Sequence, residues 1–558
     1  MEIEEREAER QDPTTGTEPG RRLSPLVKHM LISAVAGSVA LTGALLVLPS
    51  SPELPAPPAA GPEGQAMSAA AVGSTSLPEL TGLIGESESY LRSHPRDGLS
   101  WAVLGSAYVE RGLRAADSAY YPKAESALLT SLKTRPAGNV DALNGLVALA
   151  NARHDYRTAK KWGEAAVKLA PKRWTTYPLL IGTYGRLGDY KAVDRTLQTL
   201  TKLRSGADVL VLEGQVYQDR GWREDANATL SDAAVLASTP SEQAACLHQL
   251  GELAWERGEA AQALNYFNQA LAADPDHDAS LAGRGRALTS LGRTTEAVQA
   301  YRSVLTEQPR PEYALELGEL YESIGFGDAA KAQYGLLRKR VEADRANGVD
   351  DSLLIGRFEA DHGDPRAAVT LLRAEWKRAP SVQTADALGW ALHRSGADKE
   401  AMTYAKRATD PAHGGGGVSA LFTYHRGEVE RGLKLDGAAR RHIGEALRIN
   451  PAFSPVLAPA AKKALAALGQ PRAGGAEKAR GTAANTAPAP RPHAAPRSSA
   501  PKRPATRRPA SKSPVKRPAA PVAPPKSAAP AKPLAAPTPD PAKPSSRPAP
   551  QAPKSPGA

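Results

Sequence analysis

From Ser100 to Pro451 the chain repeats one arrangement of small, large and polar positions. Within short stretches the apolar residues fall three and four apart, the spacing of helices that bury one face. On a longer scale a fixed set recurs. In Gln249–Pro275 it is Gly251, Gly258, Ala263, Phe267, Ala270 and Pro275. Moving 34 residues on brings Gly285, Gly292, Ala297, Tyr301 and Pro309; another 33 brings Gly318, Gly325, Ala330 and Tyr334, and 38 more Gly356, Gly363, Ala368 and Leu372. Upstream stand Gly214, Gly221, Ala226 and Leu230, then Tyr184, Gly188 and Leu197. Downstream stand Gly389, Gly396 and Ala401, then Gly427, Ala439, Ala446 and Pro451. Two copies are degenerate, with Val147 and His154 in place of glycines in one and Lys434 at the turn of the other.

Each unit predicts two antiparallel helices whose apolar stripes are covered only when neighbours stack. Gly251 and Ala270 let helices approach closely, and Phe267 supplies bulk for the wedge between layers. Gly258 takes the positive φ of a tight inter-helix turn, and Pro275 ends the second helix. "WAVLGSAY" (Trp101, Leu104, Gly105, Tyr108) opens the series, and its second half, from Ala124 to Pro136, follows after about seven extra residues. The expectation is an all-α solenoid of about ten helix-turn-helix repeats. A half-repeat helix ending near Pro95 precedes them, and "FSPVLAPAAKKALAALG" supplies a capping helix at the end.

The pattern of a large residue, Leu-Gly, Tyr, a turn glycine, then Ala, an aromatic, Ala and Pro resembles the tetratricopeptide repeat family. The resemblance covers 76–469 with the flanking helices. It implies a superhelix in which the first helix of each repeat lines a concave groove for protein or peptide partners. Carried onto this chain, the groove-facing set is His248, Glu252 and Trp255; Arg286; Glu319; Arg357; Trp390, His393 and Arg394; and Tyr424, Glu428 and Arg431. Trp255 and Trp390 are not signature residues of the fold. As exposed tryptophans beside charges they would be contact anchors; alternatively they pack against the next repeat. The charges are mixed, so no class of peptide is singled out.

A second pattern lies near the N-terminus. Met30 to Ser51 carries no charge, and its apolar run, 30–49, is long enough to cross a bilayer as a helix. A cleaved signal peptide would need a small-residue site directly behind the apolar run, but "SSPELPAPP" follows, so a retained anchor is expected. Arg21, Arg22 and Lys28 precede the span and no Lys or Arg follows until Arg92. That bias predicts a single-pass protein of the cell membrane with 1–29 cytoplasmic and disordered and the array extracytoplasmic. Residues 50–75 would be a Pro/Ala-rich linker. The Ala, Arg and Gly bias points to a bacterium with a GC-rich genome, of actinobacterial type.

Charge divides the chain. Residues 471–558 hold 17 Lys and Arg against Glu477 and Asp540, or +15, whereas the whole chain is +12. Twenty-three prolines and no aromatic stand there too. Such a composition predicts a disordered tail over 470–558 that cannot bury enough apolar surface to fold. Outside the membrane its charge would favour anionic wall polymers or lipid headgroups. Nucleic acid is expected only if the tail were cytoplasmic, and then through phosphate contacts alone. The alternative function is therefore an envelope polyanion binder in which the array is a spacer.

Catalytic motifs are missing. There is no H-E-x-x-H, C-x-x-C, Walker loop or G-x-S-x-G, and the histidines form no metal-ligand set. "HGGGGVS" (His413–Ser419) lacks a following Gly-Lys-Ser/Thr and reads as a break between repeats. Cys246 is the only cysteine, so no internal disulfide forms, and its Ala/Leu surroundings predict a buried, inert thiol. Neither enzyme nor cofactor is expected; a binding scaffold is.

Overall fold

The computed structural model describes residues 77–411 and 419–469. The described helices all lie within Met1–Ala476. The expected span at 30–49, its flanking segments 1–29 and 50–75, most of the glycine-rich break and the basic tail lie outside the described residues. Among the described residues no helix is long and apolar enough to cross a membrane.

The described residues form 22 helices and no strand. A single helix, Leu77–Ser93, leads into ten consecutive helical hairpins, and Leu457–Ala467 closes the series, so the helix count exceeds ten bare repeats by two. The 38-residue step from Gly318 to Gly356 has a simple cause: the second helix of the seventh repeat, Gly327–Ala346, runs to 20 residues. Acceptor side chains hold many helix starts, as when Asp189 accepts from the Ala192 amide and Ser381 from that of Thr384.

The fifth repeat, Pro240–Glu256 and Ala260–Ala273, shows how the pattern works. Ala263, Phe267 and Ala270 are wholly buried. The Phe267 ring sits where a Cβ on Gly251 would come within 2.6 Å of it, and one on Gly283 of the next repeat within 2.5 Å. One aromatic side chain thus wedges three helices together, and glycine is what admits it. At the turn Gly258 has φ 78°. His154 and Lys434, which occupy the turn in the degenerate repeats, adopt the same left-handed region at φ 58° and 61°. Gly363 departs from the pattern with φ −142°. Its turn is re-formed by Asp364, which precedes Pro365 and is extended as residues before proline tend to be. Cys246 is fully buried, and burial pushes its thiol up to about 11.

The solenoid coils back on itself. The turn inside the first repeat meets the loop after the sixth, where Arg310 donates to the Leu113 carbonyl at 2.5 Å and Gln308 to that of Arg114. The second repeat meets the loop after the seventh: Arg153 donates to the Asn347 carbonyl at 3.2 Å, and the Asp350 amide to the Arg153 carbonyl at 3.1 Å. In the third, the Tyr190 hydroxyl accepts from the Val382 amide at 3.1 Å. In the fifth, Asn450 donates to the Trp255 carbonyl at 2.8 Å. These side-chain contacts fall 192 to 197 residues apart in sequence. The turn of one repeat therefore rests on the loop that follows the fifth repeat after it.

Candidate functional site

Closure by Asn450 turns the fifth to tenth repeats into a ring around a cavity of about 310 Å³. Successive first helices contribute to its wall in order: Trp255 and Glu256, then Arg286 and Ser290, then Glu316 and Glu319, then Arg357 and Asp361, then Asp386 and Trp390, then His425. Tyr301 comes from the second helix of the sixth repeat, and the segment after the tenth adds Phe453. The expected groove is here the inner wall of a ring, partly open to solvent, because the loop after the tenth repeat reaches back to the fifth.

On one side Arg286 bridges two carboxylates, donating to Glu252 at 2.6 Å and Glu316 at 2.9 Å. Tyr301 donates its hydroxyl to Glu316 at 2.8 Å. Burial alone would push the guanidinium down, but the two carboxylates lift it well above its ordinary value. Its plane lies 5.1 Å from the Trp255 ring, whose indole N–H donates to Ser290 at 3.0 Å. Burial raises the neighbouring Glu256 to about 7; a hydrogen bond with Gln218 opposes the rise, and the Glu252 and Asp219 charges add to it.

The opposite wall is aromatic. Trp390 is 4% exposed, stacks on His425 of the next repeat at 4.1 Å and donates its indole N–H to Asp361 at 2.9 Å. His425 Nδ1 stands 3.0 Å from both oxygens of Asp386. Its Nε2 is buried, with no partner among the described residues. Between the two walls, burial raises Glu319 against the pull of His362, 3.5 Å away.

Five of the expected groove residues line this cavity: Trp255, Arg286, Glu319, Arg357 and Trp390. Glu252 stands behind Arg286, and Arg394 lies 5.8 Å over the Trp390 ring while donating to the Ala360 carbonyl. The others do not converge on it. His248 packs against Phe267 and His277, and burial pushes it down to about 3. His393 pairs with Asp398 at 2.6 Å. Tyr424 and Glu428 are buried, and Arg431 is taken up by Glu428. The expectation of exposed tryptophans fails for Trp390, since it packs against the next repeat; Trp255 does the same through Ser290 while still edging the cavity.

Glu256, Glu316, Asp361, Asp386 and His425 were not in the expected set. Glu316, Asp361 and Asp386 stand three or four positions from Glu319, Arg357 and Trp390, so helical spacing alone could have found them. Phe453 carries no such signal, because only coil closure brings it in. Among the described residues no group of three His, Cys, Asp or Glu is placed to hold a metal ion.

Residues 248–314 match the family described as Tetratricopeptide repeat. The co-chaperone DNJ1 of Fusarium oxysporum f. sp. lycopersici, a tetratricopeptide repeat and J domain-containing protein, is 46% identical over 84 residues. That match covers 15% of this chain and 16% of that protein, so the chain spans about a sixth of the relative's length. Among solved structures, a human IFIT1 dimer with PPP-AAAA has a TM-score of 0.38 at 16% identity, over 63% of this chain and 82% of that one. A tetratricopeptide repeat protein from Parabacteroides merdae gives 0.28 at 17% identity, over 47% and 99%. Pseudomonas aeruginosa pilF gives 0.29 at 21%, over 38% and 94%. The match to tetratricopeptide repeats thus rests on 248–314, the fifth and sixth hairpins and the start of the seventh.

Proposed function

We propose that this chain is a non-enzymatic scaffold that holds a protein or peptide segment in the cavity enclosed by its fifth to tenth repeats. Tetratricopeptide repeats generally mediate contacts between proteins, and one observation carries the reading to this site. The first helices of six consecutive repeats, the face expected to recognise partners, converge on a single cavity rich in charge and aromatic surface. The test fills it. Ala452 lines the cavity from the closing loop and is only half-buried. Ala452→Trp should therefore block entry without opening the helix pairs, whereas Val235→Asp, on a residue 84% exposed, is a surface control. A partner captured by the wild type and the control but lost with Ala452→Trp supports the reading; equal capture by all three refutes it.

We place the array outside the cytoplasmic membrane, held by the uncharged run at 30–49 with the N-terminus inside. Reporter fusions at both termini test this, and a cytoplasmic signal from the C-terminal fusion overturns it. A second reading rests on the +15 of residues 471–558: that segment binds anionic envelope polymers or lipids while the array spaces it. Deleting 471–558 separates the two, since it removes salt-sensitive envelope binding under the second reading and leaves partner capture intact under the first.

A further inference from the structure

We propose that the inner cavity takes a protonated amine on a flexible chain, either a lysine side chain of the bound segment or a free polyamine. This deepens, and rests on, the reading of the cavity as the partner site. Glu256, Glu316, Glu319, Asp361 and Asp386 stand in the wall against Arg286 and Arg357. The cations are unevenly spent: Arg286 is held between Glu252 and Glu316. Glu256 bonds the uncharged Gln218 and feels the Arg223 charge, and burial outweighs both. A carboxylate that its neighbours do not compensate for burial is costly, and a ligand ammonium would offset that cost.

His425 independently asks for the same ligand. Its ring is 5% exposed and lines the cavity. With both oxygens of Asp386 at 3.0 Å, Nδ1 carries the proton, since a carboxylate there accepts. In the neutral ring Nε2 is then a buried lone pair, and among the described residues it has no hydrogen-bond partner. An acceptor in that state calls for a donor, and an ammonium supplies three N–H groups and a positive charge. The arrangement disfavours anions, which would face the carboxylates, and a bare metal ion finds no triad of ligands among the described residues. The volume, about 310 Å³, sits at the lower end for small-ligand sites, room for one long side chain rather than the tip of a folded domain.

The test uses the full-length chain and titration calorimetry with three probes: acetyl-Ala-Lys-Ala-Lys-Ala-amide, the same peptide with Gln for both Lys, and spermidine. The lysine peptide or spermidine should bind, and the Gln peptide at least tenfold more weakly; which amine binds tighter decides between a side chain and a free polyamine. Two substitutions should move the affinity in opposite directions. Glu256→Gln keeps the size of the side chain and removes its charge, and should weaken amine binding about tenfold. Arg357→Gln removes an exposed guanidinium from the wall that makes no ion pair among the described residues, and should tighten it severalfold. General damage to the fold cannot give both signs. Absence of amine binding, equal binding of the Gln peptide, or an unchanged affinity in Glu256→Gln overturns the proposal. If partner capture is nevertheless lost in Ala452→Trp, the scaffold reading stands without it; if capture is untouched there, the scaffold reading itself has failed.

Discussion

Replacing Arg286 by Met should loosen the ring wall at one place, and the size of the effect follows from what the guanidinium holds. Its side chain is 24% exposed, and those of Glu252 and Glu316 are 21% and 27%. Breaking a fully buried ion pair costs about 3–5 kcal/mol, mostly because the abandoned charge stays buried, while exposed pairs contribute about 0–1 kcal/mol. Side chains one-quarter exposed belong near the lower end of the buried range, so the expected loss is about 3 kcal/mol. Stability in a repeat array is largely a sum of neighbour terms, so the loss should be local. Hydrogen exchange is the fitting assay. Amides of Pro240–Ser323 should exchange roughly a hundredfold faster than in the wild type, since each 1.4 kcal/mol is a factor of ten. Amides in the first repeat should not change. A deficit below about 1 kcal/mol would show the triad to be solvent-screened, and the reasoning wrong.

Phe267→Ala removes the fully buried wedge between Gly251 and Gly283 and should cost about 3–5 kcal/mol, read as faster exchange across the fifth and sixth repeats. Lys434→Gly should stabilise by about 0.5–1 kcal/mol in urea titration, because Lys434 is exposed and holds φ 61°. His154→Gly relieves the same backbone but should still destabilise the coil contact, since the ring reaches the Asp350 carbonyl at 3.1 Å and Asp351 at 3.4 Å. Burial pulls His154 down, yet its bonds to Asp351 prevail and raise it. Its contribution is therefore complete below about pH 6.5 and lost as pH rises through the higher folded value, so exchange near Asn347–Asp351, corrected for intrinsic rates, should be faster at pH 8 than at pH 6.

What could be read from the sequence was what lies within one repeat length. Gly251 with Phe267, and Gly258 with its turn, are separated by fewer residues than a hairpin holds, so periodicity exposes them. Even His154 and Lys434, lacking the expected glycine, keep the turn, because neighbouring repeats dictate its geometry. Gly363 marks where local reading failed: the proline two residues on imposed a different route. The cavity was half legible for a related reason. Helical spacing identifies which side of each first helix faces inward, but whether that side meets water, another helix or a ring partner depends on the coil. Trp390 thus reads as a groove anchor and Tyr424 as groove-facing, and both are buried.

The coil contacts themselves bear on what can enter. Four of the named contacts at 192–197 residues end on backbone carbonyls, at Leu113, Arg114, Asn347 and Trp255, and a further one joins the Arg153 carbonyl to a backbone amide. Carbonyls are present whatever the side chain, so closure depends on how far the coil advances per turn more than on any conserved pair of side chains. It is also spread over the first, second, third and fifth repeats, so losing one contact such as Asn450 to Trp255 should not open the rest. Asn450→Ala then serves as a selective perturbation: it takes one of two donors from the Trp255 carbonyl, which keeps the Gly258 amide, at about 0.5–1.5 kcal/mol confined to the seam beside the cavity. If partners pass through that seam, the substitution should speed their association; if they thread between coil turns elsewhere or along the axis, association should be unchanged while exchange at Asn450–Leu457 rises. The rate of capture, set beside that local exchange, identifies the way in.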